Sequence, residues 1–144
     1  MNLTFAPGIL EQVIAHAKDC YPREGCGLIV GRRSSPAAAG GPLPEAEAFV
    51  PMDNISTRDD EYEMDPKQLI RVLRNLRNAG KDLAAIYHSH PHGLAEPSKK
   101  DIERAFYPEA AYLIVSLNEL ERPRAAAFRI TGGEVIEIEL HAIV

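Results

Sequence analysis

The sequence predicts a mixed β-sheet flanked by helices, a fold of the α/β or α+β class, in a single domain that spans residues 1–144. Three observations lead to this prediction. Apolar residues recur at helical spacing in two segments, short apolar runs typical of buried strands alternate with them, and the chain closes on a hairpin pattern with a Gly-Gly turn. Such an order is typical of a sheet covered by helices, and 144 residues suffice for one hydrophobic core.

The first third of the chain predicts one helix and two strands. From Pro7, apolar residues recur at helical spacing up to the Tyr21-Pro22 pair, which is suited to ending a helix. The run CGLIVG at 26–31 predicts a buried strand, and the segment 32–45, rich in Pro, Gly and Ala, predicts an exposed connector. A second strand is expected at 46–52, before a polar stretch rich in turn residues.

The rest of the chain predicts a long helix and then a series of short elements. Asp65 and Pro66 form a helix start, with the aspartate as cap and the proline at the first helical position, and Gly80 is suited to the end of this helix. The remaining elements are a strand, a short helix, a strand and a hairpin that turns at Gly132-Gly133, and they are expected at 82–90, 98–106, 110–117 and 125–140.

Composition and charge disfavour two kinds of partner. No apolar run approaches the roughly 18 residues of a membrane span, and the first residues show no export signal, so we expect a cytoplasmic protein with no membrane partner. The formal net charge is −5, and the only local basic stripe is RVLRNLR at 71–77. We therefore expect no nucleic-acid partner.

The chain has two cysteines, Cys20 and Cys26. A pair at this spacing could be two buried thiols, a redox pair or part of a metal site. Free cysteines often pack as small hydrophobic residues, which favours the first interpretation.

The most informative stretch is HSHPHGLAEPSKKD at 88–101, which follows an apolar run. Alternate residues of a strand point to the same face, so His88 and His90 would project together with Cα atoms about 6.5 Å apart, close enough to bind one metal ion. Histidine nitrogens and a carboxylate oxygen suit zinc, and three protein ligands leave a position open for water, as in catalytic sites. The alternative is a pair of polar histidines at a strand end.

Asp101 is the carboxylate that would complete this set. The prolines and the glycine of PHGLAEP allow the chain to turn and to bring a helix start back over the histidines. Ser98 and Asp101 have a competing interpretation, because Ser-x-x-Asp at a helix start is close to a capping box. A capping serine could still turn its hydroxyl proton into a site. We expect, however, that one oxygen of Asp101 cannot both fold back on the cap and bind zinc.

Hydrolysis of an amide also requires a general base, which takes a proton from the attacking water and delivers it to the leaving nitrogen. Glu24 is favoured among several glutamates because it lies just before the buried strand 26–31, where packing would fix its position. The alternative is an ordinary carboxylate that faces solvent.

Together these residues resemble the JAMM (MPN+) family of zinc metalloproteases, whose pattern is an upstream glutamate, then His-x-His-Pro and, after a short spacer, Ser-x-x-Asp. The chain has Glu24, the segment HSHP at 88–91 and the segment SKKD at 98–101 in that order. PREGCGLIVG, NIS and YEMDP also resemble segments of the small bacterial members, so the likeness covers most of the chain outside the connector and the closing hairpin. It implies a mixed, curved sheet in an MPN or cytidine-deaminase-like architecture.

The resemblance also implies roles and a substrate. His88, His90 and Asp101 would bind one Zn²⁺ per chain, Glu24 would be the general base and proton shuttle, and Ser98 would donate a hydrogen bond to the tetrahedral oxyanion. The substrate class would be a ubiquitin-like or sulfur-carrier protein, cut after the Gly-Gly at its C-terminus. The shortness of the chain favours a bacterial carrier of the ThiS/MoaD type, with release of cysteine from its end, as in the cysteine-biosynthetic members of the family.

Other interpretations stay open. A metal-free MPN scaffold, a deubiquitinase-like enzyme and a RadC-like protein linked to DNA are alternatives within the same resemblance. A zinc deaminase is disfavoured, because the sequence lacks the H-x-E and P-C-x-x-C signatures. His92 is either a fourth ligand or a loop residue, and residues 54–60 either line a substrate groove or form a solvated loop. The sequence does not fix the oligomeric state and is compatible with a homodimer.

Overall fold

The computed structural model describes residues 1–33 and 35–143; Ser34, which falls in the expected connector, and Val144 lie outside it. Within the described residues the chain forms seven strands and three helices. In chain order these are β1 (Asn2–Phe5), α1 (Ile9–Cys20), β2 (Cys26–Gly31), β3 (Ala48–Met52), α2 (Pro66–Asn78), β4 (Asp82–His90), α3 (Lys99–Glu103), β5 (Ala111–Ser116), β6 (Arg124–Thr131) and β7 (Glu134–Ala142).

Most of the predicted elements are confirmed, with two differences near the start of the chain. β1 was not predicted from the sequence; its four residues pair in parallel with β7 at the far end of the chain. The first helix begins at Ile9 and not at Pro7, because Gly8 adopts a left-handed conformation with φ 83° at the cap position. The closing hairpin turns at Gly132 and Gly133 as predicted, both with positive φ.

The connector has no regular secondary structure from 35 to 45. Two guanidinium groups fasten it to the sheet. Arg33, within the connector, donates to the carbonyl of Pro42 at 2.8 Å and to the carbonyl of Leu83 in β4 at 3.0 Å. Arg129 of β6 donates to the carbonyl of Gly41 at 2.8 Å. The connector is therefore in contact with the sheet although many of its side chains are exposed, as predicted.

The seven strands form one mixed sheet in the order β1-β7-β6-β5-β4-β2-β3. The pairs β4·β5 and β1·β7 are parallel, and the remaining neighbours are antiparallel. Because two parallel strands require a crossover connection, the chain must leave the carboxyl end of β4 and return before β5 begins. This return places α3 over the end of β4.

Each face of the sheet carries its own hydrophobic core. Val13 of α1 and Tyr87 of β4 belong to the core on one face, whereas Ile86 belongs to the core that α2 and α3 cover on the other. Successive residues of a strand point to opposite faces, so His88 shares a face with Ile86, and Ser89 shares a face with Tyr87. Within the described residues, no helix is long and apolar enough to cross a membrane.

Candidate active site

The two histidines at the carboxyl end of β4 point their rings at each other. The Nε2 atoms of His88 and His90 lie 3.0 Å apart. His88 is fully buried and His90 is half-buried. The strand alternation expected from the sequence therefore brings the two rings together on one face of the sheet.

Asp101, in the first turn of α3, completes a triangle of ligand-type atoms. Its Oδ2 lies 3.1 Å from Nε2 of His88 and 3.1 Å from Nε2 of His90. The same oxygen accepts a hydrogen bond from the Ser98 amide at 2.8 Å, so the capping box is formed. The cap and the contacts with the two histidines thus use the same oxygen, which more than one lone pair per carboxylate oxygen allows, and this counts against the expectation that the cap and zinc exclude each other there.

This donor set fits zinc. Donors bonded tetrahedrally to zinc at about 2.0–2.2 Å lie about 3.3–3.6 Å from one another, close to the separations of this triangle. Nδ1 of His90 donates a hydrogen bond to the carbonyl of Leu94 at 2.8 Å. In the neutral ring, Nε2 then keeps its lone pair, which is directed at Nε2 of His88 and Oδ2 of Asp101. Nδ1 of His88 is buried with no hydrogen-bond partner among the described residues. At Nδ1, one ring is thus held by a hydrogen bond and the other is not.

The protonation states of these side chains follow from burial and from their contacts with one another. Burial opposes the charge on Asp101, yet hydrogen bonds from His88 and His90 hold its pKa below the ordinary value. Burial lowers the pKa of His88, which favours the neutral ring. Burial acts in the same sense on His90, but its hydrogen bonds to Asp101 and to the Leu94 carbonyl raise its pKa. A carboxylate and a neutral imidazole are the forms that bind metal ions.

Glu24 lies between α1 and β2, with its side chain turned toward the histidines. The residue is only 7% exposed, and a carboxylate oxygen lies within 4.8 Å of a ring nitrogen of both His88 and His90. Burial raises the pKa of Glu24 to about 7, and the negative charge of Asp101 adds to this, whereas the neighbouring His90 opposes it. A carboxyl group with a pKa near neutrality, within reach of a shared water, is suited to proton transfer.

Ser98 is the cap of α3 and stands at the edge of the site. Its Oγ accepts a hydrogen bond from the Asp101 amide at 3.1 Å, which confirms the capping interpretation. Because Oγ is the acceptor in this bond, the hydroxyl proton of Ser98 is not used by the cap. The role of Ser98 as a donor to an oxyanion stays a prediction.

A loop that sequence reasoning left unassigned supports the site from the side of β3. Tyr62 stacks on the ring of His88 with a centroid distance of 4.6 Å and an interplanar angle of 23°. Asn54 donates from Nδ2 to the carbonyl of Glu24 at 3.0 Å. The only sequence signals were the NIS and YEMDP segments of the resemblance, since the contacts depend on the path of the loop.

A groove of about 500 Å³ opens beside Ser98 and Asp101. Glu61 bridges its walls, because its Oε2 lies 3.2 Å from Nζ of Lys100 and 3.3 Å from the guanidinium of Arg104. Asp60 is the one residue of 54–60 that lines the groove, and most of the others are exposed to solvent, which favours the solvated-loop interpretation of that stretch. Most of the apolar wall comes from Tyr62, Met64, Leu69, Phe106, Tyr107 and Tyr112.

Three residues that the sequence also offered as possible metal ligands lie outside this cluster. His92 is exposed, and its ring meets Tyr21 edge-on at a centroid distance of 5.5 Å, so it has the position of a loop residue. Cys20 and Cys26 are free thiols, the first half-buried and the second fully buried. Burial raises the pKa of Cys26 to about 12, which keeps it a thiol. These positions match the buried-thiol interpretation.

Comparison with protein families gives one match that covers most of the chain. Residues 7–131 match the model of prokaryotic homologues of the JAB domain. Three curated relatives are similar to the chain. A CysO-cysteine peptidase of Mycobacterium tuberculosis is 29% identical over 98% of this chain and 91% of its own length. A desampylase of Haloferax volcanii is 29% identical over 96% of this chain and 95% of its own.

The third relative is a probable TtuB-protein conjugate cleaving protease of Thermus thermophilus, 39% identical over 68% of this chain and 60% of its own length. The fold also matches solved structures. A protein from Desulfitobacterium hafniense is 30% identical, with a TM-score of 0.80 over 99% of this chain and 93% of its own. A JAB1/MPN domain protein from Archaeoglobus fulgidus, 17% identical, has the same fold with a TM-score of 0.61 over 96% of this chain and 99% of its own.

Proposed function

The chain belongs to the family of prokaryotic homologues of the JAB domain, and on this premise we propose that it is a cytoplasmic zinc peptidase of the JAMM type. We propose that it hydrolyses the bond after the C-terminal Gly-Gly of a ubiquitin-like or sulfur-carrier protein. The convergence of His88, His90 and Asp101 on one point, with the buried carboxylate of Glu24 beside it, carries this proposal.

Each residue of the cluster has a distinct role in this proposal. His88, His90 and Asp101 hold the zinc through two Nε2 atoms and Oδ2. Zinc, when bound, supplies a Lewis acid that polarises the scissile carbonyl and lowers the pKa of a coordinated water to about 7. Glu24 takes the proton of the attacking water and delivers it to the leaving nitrogen. Ser98 donates its hydroxyl proton to the oxyanion that forms on the carbonyl oxygen.

The substrate class follows from the relatives and from the groove. The relatives are named as a CysO-cysteine peptidase, a probable TtuB-protein conjugate cleaving protease and a desampylase. The groove beside Ser98 and Asp101 gives an extended chain end a place to lie, fixed there by backbone hydrogen bonds and apolar contacts. Only glycine allows a backbone to approach a metal centre so closely. A carrier with cysteine on its terminal Gly-Gly is the substrate we propose, which places the enzyme in cysteine biosynthesis.

The test uses two adducts of one sulfur-carrier protein that ends in Gly-Gly. The first carries cysteine on the terminal glycine, and the second carries an isopeptide-linked lysine peptide. Zinc-loaded protein is mixed with each, and intact mass spectrometry follows the release of the leaving amine. Glu24→Gln and a chelator are the negative controls, and Glu11→Gln, an exposed glutamate of α1, is the matched control.

Three outcomes are distinct. Cleavage of the cysteine adduct, abolished by Glu24→Gln and by the chelator but not by Glu11→Gln, supports the whole proposal. Cleavage of the lysine adduct alone would support the peptidase, with a lysine side chain and not cysteine as the leaving amine. If neither adduct is cut while the protein binds zinc, a non-catalytic MPN scaffold replaces the peptidase.

A further inference from the structure

The peptide unit that joins Glu24 to Gly25 is held at both edges by polar side chains from distant parts of the chain. The carbonyl oxygen of Glu24 accepts a hydrogen bond from Nδ2 of Asn54 at 3.0 Å. The N–H of Gly25 donates to Oγ of Ser89 at 2.8 Å. A peptide unit is planar, so two bonds at its opposite edges fix the orientation of the plane and, with it, the Cα of Glu24.

Asn54 uses its whole side chain in this arrangement. Nδ2 also donates to the carbonyl of Glu61 at 3.2 Å, and Oδ1 accepts from the amides of Ser56 and Glu63, both at 3.0 Å. The loop from 54 to 63 is therefore closed around one amide group, which satisfies all of its donors and acceptors. Because Tyr62 of this loop stacks on His88, the same amide links the loop that supports a candidate metal ligand to the backbone of Glu24.

Ser89 holds the other edge of this peptide unit, and its side chain lies on the face of the sheet opposite to the side chain of His88. It is fully buried, and its own amide donates to the carbonyl of Gly25 at 3.0 Å. Gly25 precedes the first residue of β2, so its N–H is paired with a side-chain hydroxyl and not with a strand carbonyl. A Cβ at Gly25 would lie 2.7 Å from the hydroxyl oxygen of Tyr87 and 3.1 Å from Nδ1 of His16. This close packing leaves the peptide unit no freedom to rotate toward α1.

We propose that Asn54 and Ser89 are positioning residues, which clamp the Glu24–Gly25 peptide and thereby aim the carboxylate of Glu24 at the point between His88 and His90. This inference rests on the proposed function, in which Glu24 transfers the proton. Ser89 points away from the histidine rings, so it acts on the reaction through Glu24 alone. A misplacement of about 1 Å in a catalytic group can cost about a hundredfold in rate, which sets the scale of the expected effect.

The experiment compares Asn54→Ala and Ser89→Ala with Asp82→Asn. Asp82 begins the strand that carries Ser89 and pairs with Arg33 at 3.0 Å, so the control also removes a side-chain interaction from β4, far from the site. Four quantities are measured: kcat and KM on the cleaved adduct, zinc bound per chain, the Tm, and the exchange rate of the Gly25 amide hydrogen by NMR.

Each clamp variant is expected to lower kcat at least tenfold, with KM within twofold of the wild type. Zinc content should be unchanged in Ser89→Ala, which leaves the loop of Tyr62 intact. In Ser89→Ala, exchange of the Gly25 amide should accelerate at least tenfold. The double variant should lose less than the product of the two single losses, because both bonds hold the same peptide unit. Asp82→Asn should keep kcat within twofold of the wild type, even if its Tm falls as far as that of the clamp variants.

Four results would overturn the inference. The clamp has no role if both variants keep kcat within twofold while Glu24→Gln is inactive. It is a support of the metal site and not of the base if Ser89→Ala loses zinc in step with activity. A loss of kcat in Asp82→Asn equal to that of the clamp variants would assign the effect to general instability. If the wild type cuts no adduct, the proposed function itself fails, and the positioning role fails with it.

Discussion

The Nε2 atoms of His88 and His90 lie 3.0 Å apart at the end of β4, and Oδ2 of Asp101 lies 3.1 Å from each of them. These three atoms are all suited to binding a metal ion, and few protons are available to form hydrogen bonds between them. A cation bound between them satisfies all three at once, and a ligand that binds only the folded state adds its binding free energy to stability.

Zinc should therefore raise the Tm of the protein, and His90→Ala should abolish the effect. At a free zinc concentration one hundred times the Kd, binding adds about 2.7 kcal/mol of stability, which corresponds to about 10 °C for a chain of this length. His92→Ala is the matched control, because His92 is an exposed histidine two residues away. Thermal unfolding with zinc and with chelator measures the shift. An equal loss of the zinc effect in both variants would contradict this ligand assignment.

Metal-free Glu24→Gln protein should be more stable than metal-free wild type at pH 8, with a much smaller difference at pH 5. Burial raises the pKa of Glu24 to about 7 from an ordinary value of 4.5, so the folded state binds this proton more tightly than the unfolded state does. Stability from this group is present below about pH 4.5 and is lost as the pH rises through about 7. Glutamine has no proton to lose.

The measurement is the Tm of chelator-treated protein at both pH values. Exposed Glu11 on α1 gives the control variant Glu11→Gln, whose Tm should follow that of the wild type at both pH values. A constant gap between Glu24→Gln and the wild type would show that Glu24 does not titrate in this range.

The parts of the site that follow from local chain geometry were predictable from the sequence. His88 and His90 share a face because strand residues alternate, and Asp65-Pro66 and Gly80 bound α2 closely because capping preferences are local. The convergence of Asp101 with the histidines depends on the crossover between β4 and β5. The turn residues of PHGLAEP made this return plausible, and the resemblance to a known family implied the pairing.

The supporting residues could not be predicted, because their roles depend on distant pairings. Ser89 reaches Gly25 only through the register of β2 and β4, in which Cys26 is paired with His88. β1 was missed for the same reason, since its four residues are held by a strand more than a hundred residues later. The contact between Tyr62 and His88 depends on the closure of a loop whose composition indicates only turns.

Tyr62→Ala should lower the affinity for zinc about tenfold, whereas Tyr62→Phe should leave it close to the wild-type value. Groups that orient a metal ligand typically contribute a factor of about 10–100 in affinity. Nδ1 of His88 has no hydrogen-bond partner among the described residues, so stacking on Tyr62 supplements the contact of Nε2 with Asp101 in orienting His88. Phenylalanine keeps the ring and removes only the hydroxyl group. Competition with a chromophoric chelator gives the affinities, and a tenfold loss in both variants would rule out stacking as the cause.

Gly25→Ala should destabilise the fold by about 1–3 kcal/mol, the usual cost of overpacking. The added Cβ would lie 2.7 Å from the hydroxyl oxygen of Tyr87, which is fully buried and has little room to move. Gly93→Ala is the matched control, because its Cβ would have its nearest neighbour at an ordinary 3.5 Å. Urea unfolding measures both variants. Adding Tyr87→Phe to Gly25→Ala removes the nearest atom and should recover part of the loss; no recovery would locate the clash elsewhere.

Phe106→Ala should raise the KM for the carrier adduct about fivefold to tenfold and leave kcat nearly unchanged. Phe106 lines the groove beside Ser98 and Asp101 and is 73% exposed, so its ring is available to a bound chain end and contributes little to folding. An interaction made equally in the ground state and the transition state changes KM alone. Leu120→Ala removes an exposed apolar side chain, 45% exposed, that does not line the groove, and it should change neither constant. Steady-state kinetics on the cleaved adduct give kcat and KM for both variants. A fall in kcat without a rise in KM would mean that the carrier does not bind along this groove.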